Sequence, residues 1–290
     1  MKSQGNYSLM MKYISYVDPD GRKGFGATDG IDVYELRGEW LDLSHIASSV
    51  GFDQLLIGGR TSLQLSDVSL QPPLSRPSKL FGVGKNFPDN SGELASSPAV
   101  GLSLFQRYIG SFVGHQENLV RPIESEQLDY EGEIALVVGR GGRRIIEANA
   151  YDHIAAVTLC NDGTVQDWMS HAKMSVTQGK NWSRSGSMGP WLVPFSGPEL
   201  LEDAEITTRV NGEIRQQAKT SQMLCSFRGI LSYVSTFCEL SPGDIILTGT
   251  PFGRGAQLDP PKWLMPGDSI EVSVSNLGVL ANGVEDEIRN

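Results

Sequence analysis

Cysteine is scarce in this chain: Cys160, Cys225 and Cys238 are the only three among 290 residues, and none forms a Cys-x-x-Cys pair. An odd count without paired spacing excludes a disulfide scaffold and fits reduced, buried thiols. No Cys/His cluster has the spacing of a zinc site. Apolar runs are all far shorter than the ~20 residues of a membrane helix, and the N-terminus has no apolar signal core, so a cytoplasmic protein is expected. Positive charge is also short. Lys and Arg total 24 against 34 Asp and Glu, a net of −10, and the one dense basic group is Arg140-Gly-Gly-Arg143-Arg144. Nucleic acid and anionic membranes are therefore excluded as expected partners. A Gly-x-Ser-x-Gly elbow is missing, which removes the usual serine-hydrolase nucleophile. Gly139-Arg-Gly-Gly142 lacks the Lys-Ser/Thr of a phosphate loop and is read as a tight turn.

What the chain does have is acid in one place, at Asp129-Tyr130-Glu131-Gly132-Glu133. With a strand period of two, Asp129, Glu131 and Glu133 share one face, while Tyr130, Ile134, Leu136 and Val138 share the other. Three like charges in a row repel. A bound cation relieves that repulsion, and hard carboxylate oxygens favour Mg²⁺, Mn²⁺ or Ca²⁺. The alternative is an acidic strand edge kept charged against aggregation. Asp162 bears on the choice: the run Ile154 to Cys160 is apolar on both faces, as in a buried strand, and its polar exit Asn161-Asp162 places a carboxylate at the strand end.

The rest of the pattern predicts a β-rich α+β protein. Residues 1–10 are polar, and the first strand is expected at Met11–Tyr16. Three prolines in Gln71-Pro-Pro-Leu-Ser-Arg-Pro77 mark a linker, dividing a small N-terminal α+β domain (1–75) from a catalytic domain (76–290). Val210-Asn211-Gly212-Glu213 is a hairpin signal. Pro242-Gly243-Asp244 and Pro266-Gly267-Asp268 are two copies of one turn, each launching a strand. Met223, Phe227, Ile230, Leu231 and Val234 have helical spacing and predict a helix from Gln222 to Phe237. No βαβ alternation appears, which speaks against a dinucleotide fold.

From about Lys79 to its end the chain resembles the fumarylacetoacetate hydrolase (FAH) superfamily. The carrying motifs are Gly82-Val-Gly-Lys-Asn86-Phe, Leu128-Asp-Tyr-Glu131-Gly-Glu133, Asn161-Asp162, Gly179-Lys180, Gly189-Pro190-Trp191, Asn211-Gly-Glu and Pro242-Gly-Asp-Ile-Ile-Leu-Thr-Gly-Thr250-Pro-Phe-Gly253. The resemblance implies an FAH-like mixed β-sandwich roll, usually a homodimer, with one Mg²⁺ or Mn²⁺ per site held by Glu131, Glu133 and Asp162. It implies that Lys180 stabilises an enolate and that Arg107, Gln166, Met169 and Thr250 contact substrate. The implied substrate is a 2-keto or 2,4-diketo acid, cleaved at a C–C bond through an enolate held on the metal; decarboxylation, isomerisation or hydration could use the same enolate.

The chain departs from that pattern where hydrolytic members place His-x-x-Glu. Here the tetrad is Asn90-Ser-Gly-Glu93, and asparagine takes no proton at neutral pH. Asn90 and Glu93 are catalytic candidates by position, yet the pair reads equally as a helix cap. Gln166 stands where an arginine is common and Met169 where a glutamine is. His171 and His115 are candidate replacement bases, each equally readable as a surface polar residue. A member that has lost hydrolysis and only binds a ligand is a third reading.

Overall fold

Strand Ile154–Asn161 is apolar on both sides, so it needs cover on both faces and neighbours at both edges. The computed structural model, which describes residues 11–49, 51–52, 55–89, 101–173 and 175–289, gives it both. Gly132–Val138 pairs with it antiparallel, Gly132 opposite Asn161, and Gly186–Pro194 lies on its other edge. These strands sit inside a twelve-stranded sheet. A five-stranded sheet built from Leu119–Arg121, Glu205–Val210, Glu213–Lys219, Ser269–Val274 and Gly278–Asp286 stands beside it. Strands far outnumber helices, and the architecture is the β-rich α+β one expected.

One face of the central strands (Ile134, Leu136, Val157, Leu159) packs against Ile206, Val272 and Val274 of the second sheet and against Phe227, Ile230, Leu231 and Val234 of a helix. The opposite face (Ala135, Val137, Ala156, Cys160) meets Met11, Tyr13, Leu43, Ile46 and Ala47 from before the proline-rich stretch. Tyr13 is also registered opposite Leu192. The stretch before residue 76 therefore shares both a sheet and a core with the rest. Gly132 lies where the two sheets approach: a Cβ there would meet Thr208 Oγ1 at 2.0 Å, which only glycine avoids.

The turn chemistry is as written in the sequence. Asn211 (φ 52°) and Gly212 (φ 78°) join Val210 to Glu213 in a two-residue hairpin. In both Pro-Gly-Asp turns the glycine has positive φ, 84° at Gly243 and 90° at Gly267, and the aspartate accepts the N–H three residues back, Ser241 to Asp244 and Met265 to Asp268. The helix is shorter than its apolar spacing predicts, Phe227–Phe237. Ser226 caps it by accepting the Gly229 N–H. The preceding residues are held off the helix because Leu224 N donates to the Asn86 carbonyl and Cys225 N to Asn86 Oδ1. No helix among the described residues is long and apolar enough to cross a membrane.

Candidate active site

The acidic run is not one strand face. Leu128–Asp129 is a short strand paired with Thr164–Val165, the chain breaks at Tyr130–Glu131, and Gly132–Val138 begins a second strand. Asp129 turns away and accepts N–H bonds from Tyr130 (2.9 Å), Gly255 (2.7 Å) and Ala256 (3.0 Å). Burial pushes its pKa up to about 6 despite these donors. The break sends Glu131 and Glu133 toward Asp162 at the end of the central strand. Ligand-capable oxygens of Glu131, Glu133 and Asp162 lie within 4.8 Å of one another, and all three residues are buried. A solvent-facing acidic edge is thereby ruled out.

Lys180, at the end of the short helix Val176–Lys180, reaches the same oxygens. Its Nζ donates to Glu131 Oε2 at 2.8 Å, to Asp162 Oδ2 at 2.5 Å and to the Asp162 carbonyl at 3.0 Å. Burial alone would lower its pKa, but Asp162 and Glu131 override that and raise it, so the ammonium stays charged. Burial likewise opposes ionisation of Glu131, and Lys180 and Arg254 reverse it. Glu133 fares differently. Burial, then Asp162 and Glu131, push it well above the usual carboxylate range, and the Gly249 N–H at 2.7 Å does not offset this. Asp162 is raised by burial too, against Lys180 and Arg107.

That imbalance tests the metal. A buried carboxylate held beside two others, in an all-oxygen donor set, fits a hard divalent cation and is poorly served by monovalent side chains alone. Glu131, Glu133 and Asp162 would hold the ion. Adding Mn²⁺ at a hundred times its Kd is expected to stabilise the protein by about 2.7 kcal/mol, and a chelator to reverse it. A thermal denaturation midpoint indifferent to Mg²⁺, Mn²⁺ and chelator would contradict the site.

A cavity of about 440 Å³ opens over Glu131, Glu133 and Lys180, a size suited to a small organic ligand. Phe87, Phe105, Met169, Val176 and Phe252 form its apolar wall; Lys180, Thr250 and Arg254 are among its polar residues. A larger cleft of about 820 Å³ near Tyr151 and Phe195 contains none of the clustered acids.

The substrate set implied by resemblance divides here. Met169 lines the cavity, its Sδ packed where a Cβ on Gly179 would stand. Thr250 lines it as well, but its hydroxyl donates to the Gly132 carbonyl at 2.9 Å and accepts from Gln216. Gln166 is not a wall residue: its amide donates to Asp129 Oδ2 at 3.1 Å. Nor is Arg107, which lies behind Asp162 with its side chain fully buried, Nη1 on Asp162 Oδ1 at 2.5 Å and on the Gly163 carbonyl at 3.0 Å. Its remaining nitrogens are taken by Ser111 Oγ, so it has no arm for a ligand. Neither histidine lines the cavity. His171 stacks on Trp168, ring centroids 4.0 Å apart, and His115 Nδ1 accepts the Ala281 N–H. Asn90 and Glu93 fall outside the described residues. Arg254, which sequence reasoning passed over, is in the wall and bonds Glu131; only its place after Thr250-Pro-Phe-Gly253 could have pointed to it.

Residues 79–285 match the family model described as fumarylacetoacetate (FAA) hydrolase C-terminal. The chain belongs to the fumarylacetoacetate hydrolase superfamily. It is 33% identical over 226 residues to an uncharacterised protein of Staphylococcus saprophyticus, covering 78% of this chain and 74% of the relative. The structure is similar to fumarylacetoacetate hydrolase from Exiguobacterium antarcticum, with a TM-score of 0.77, 30% identity, and coverage of 96% of this chain and all (100%) of the other. It is also similar to 5-carboxymethyl-2-hydroxymuconate delta-isomerase from Mycobacterium smegmatis, with a TM-score of 0.75, 25% identity, and coverage of 95% and 100%. The superfamily thus contains hydrolase and isomerase neighbours of this chain, and an enzyme of that superfamily is what the buried acid cluster fits.

Proposed function

We propose that this protein is a Mg²⁺- or Mn²⁺-dependent enzyme acting on a 2-keto or 2,4-diketo acid, with hydrolysis of an acylpyruvate-like substrate between C3 and C4 as its leading reaction. The observation that carries this reading is the convergence of Glu131, Glu133 and Asp162 with the Lys180 ammonium at one cavity. When bound, the ion supplies Lewis acidity toward the substrate's carboxylate and 2-keto oxygens. The chain's own groups do the rest. Lys180 Nζ, fixed by three acceptors, places its positive charge beside the negative charge that builds on the keto acid as the bond breaks, where a preorganised charge is worth most. Phe87, Phe105, Val176 and Phe252 hold the acyl group and keep bulk water off it. One water is consumed: its oxygen joins C4, which leaves as a carboxylic acid, and C3 gains a proton as the pyruvate-like product departs.

Isomerisation, decarboxylation or hydration through the same enolate is the second reading. No histidine lines the cavity among the described residues, and isomerisation and decarboxylation, unlike hydration, do not need a base that activates water. A panel of 2-keto and 2,4-diketo acids, incubated with Mn²⁺ in heavy-oxygen water and followed by mass spectrometry, separates the two. Hydrolysis yields two acids with label in the one derived from C4. Released CO₂, an unchanged mass with an altered spectrum, or addition of water without cleavage identifies the alternatives. Metal binding with no turnover of any member would leave the ligand-binding reading.

A further inference from the structure

Among the described residues three cations are bonded to the acid cluster, and two are fully used. Arg107 has 0% side-chain exposure and four protein acceptors; Lys180 has 4% and three. Arg254 differs. Its side chain is 29% exposed, and it is part of the cavity wall. Nη1 donates to Glu131 Oε1 at 3.2 Å and Nε to Gln257 Oε1 at 3.4 Å, while Nη2 has no hydrogen-bond partner among the described residues.

The residue is also held from behind. Gln257 Oε1 accepts the N–H groups of Gly253 and Arg254, both at 3.1 Å, and Asp129 clamps the next two N–H groups, those of Gly255 and Ala256. Gly253 (φ 112°) fits there because a Cβ would strike the Arg215 carbonyl at 1.9 Å. A guanidinium with one arm on a buried carboxylate, a braced backbone and a second arm open to a cavity is a carboxylate-recognition group, since its fork can serve two acceptors at once.

We propose that Arg254 is the anion-recognising residue of this cavity, its Nη2 taking a carboxylate oxygen of the 2-keto acid at the end where the acid cluster lies. Asp129 is then a positioning residue, acting through the Gly253–Gln257 turn. The assignment rests on the functional reading above and gives Arg254 the substrate contact that resemblance had assigned to Arg107.

The test is calorimetric titration of oxalate, a probe for the carboxylate-bearing head of such acids, into Mn²⁺-loaded wild type, Arg254→Met and Arg254→Lys. Oxalate affinity is expected to fall at least about tenfold in Arg254→Met, with Arg254→Lys between the two, and Mn²⁺ affinity to stay within about threefold. Equal oxalate affinity in all three proteins, or no oxalate binding by the wild type, overturns the assignment. So does a loss of oxalate affinity that merely tracks a loss of Mn²⁺, because Arg254 would then only prop Glu131. Failure of the functional reading has another signature: oxalate binds and depends on Arg254, yet no 2-keto or 2,4-diketo acid is bound or turned over.

Discussion

Replacing Lys180 by methionine is expected to lower turnover by about two to three orders of magnitude while tightening divalent-metal binding. The two effects share a cause. Lys180 Nζ sits between Glu131 Oε2 and Asp162 Oδ2, so in the metal-free protein it competes for oxygens that an ion needs. Removing it leaves Glu133, already pushed toward its neutral form by burial, Asp162 and Glu131, among acids with still less positive charge nearby. Mn²⁺ then gains and the apo protein loses, by about 3–5 kcal/mol for a buried ion pair stripped of one partner. Catalysis loses the ammonium that would face the developing negative charge. Denaturation with and without Mn²⁺, read beside kcat, checks the combination. If kcat and Mn²⁺ affinity fell together, Lys180 would be an organiser of the ligand acids with no separate role in the reaction.

The same residues show how far a sequence carries and where it stops. Local chemistry was legible: Asn211-Gly212 needs positive φ and makes its hairpin, the Pro-Gly-Asp turns repeat one hydrogen-bond pattern, and Ile154 to Asn161 is buried as its two apolar faces require. Glu131, Glu133 and Asp162 do come together, but not by the strand alternation first read from them. Strict alternation puts Asp129 with the other two, whereas the break at Tyr130–Glu131 directs Asp129 to the Gly255 and Ala256 N–H groups. A break of that kind is set by partners more than 120 residues away and leaves no local mark. Periodicity likewise overran the start of the helix at Phe227, because Asn86, distant in sequence, holds Leu224 and Cys225 out of it. Long-range pairing also explains Arg254, whose neighbours in sequence say nothing of Glu131.

Arg107→Leu should separate a substrate contact from a structural one most sharply. As a substrate residue, Arg107 could be lost with a raised KM and little change in stability. Its place behind Asp162 leads to the opposite expectation. Both side chains are fully buried, and the guanidinium serves Asp162 Oδ1, the Gly163 carbonyl and Ser111 Oγ together. Leucine fills part of the volume and none of those bonds, leaving a buried carboxylate with Lys180 as its remaining cation. About 3–5 kcal/mol of stability is expected to vanish in the metal-free protein, a large share of what holds an ordinary domain folded. Lysine at the position should recover only part, since a single ammonium cannot reproduce a planar fork spread over four acceptors. Mn²⁺ should stabilise the leucine variant more than it stabilises the wild type, because the ion returns positive charge to Asp162. Chemical denaturation at matched Mn²⁺ concentrations measures both quantities. An unchanged denaturation midpoint accompanied by a raised KM would place Arg107 against the substrate after all.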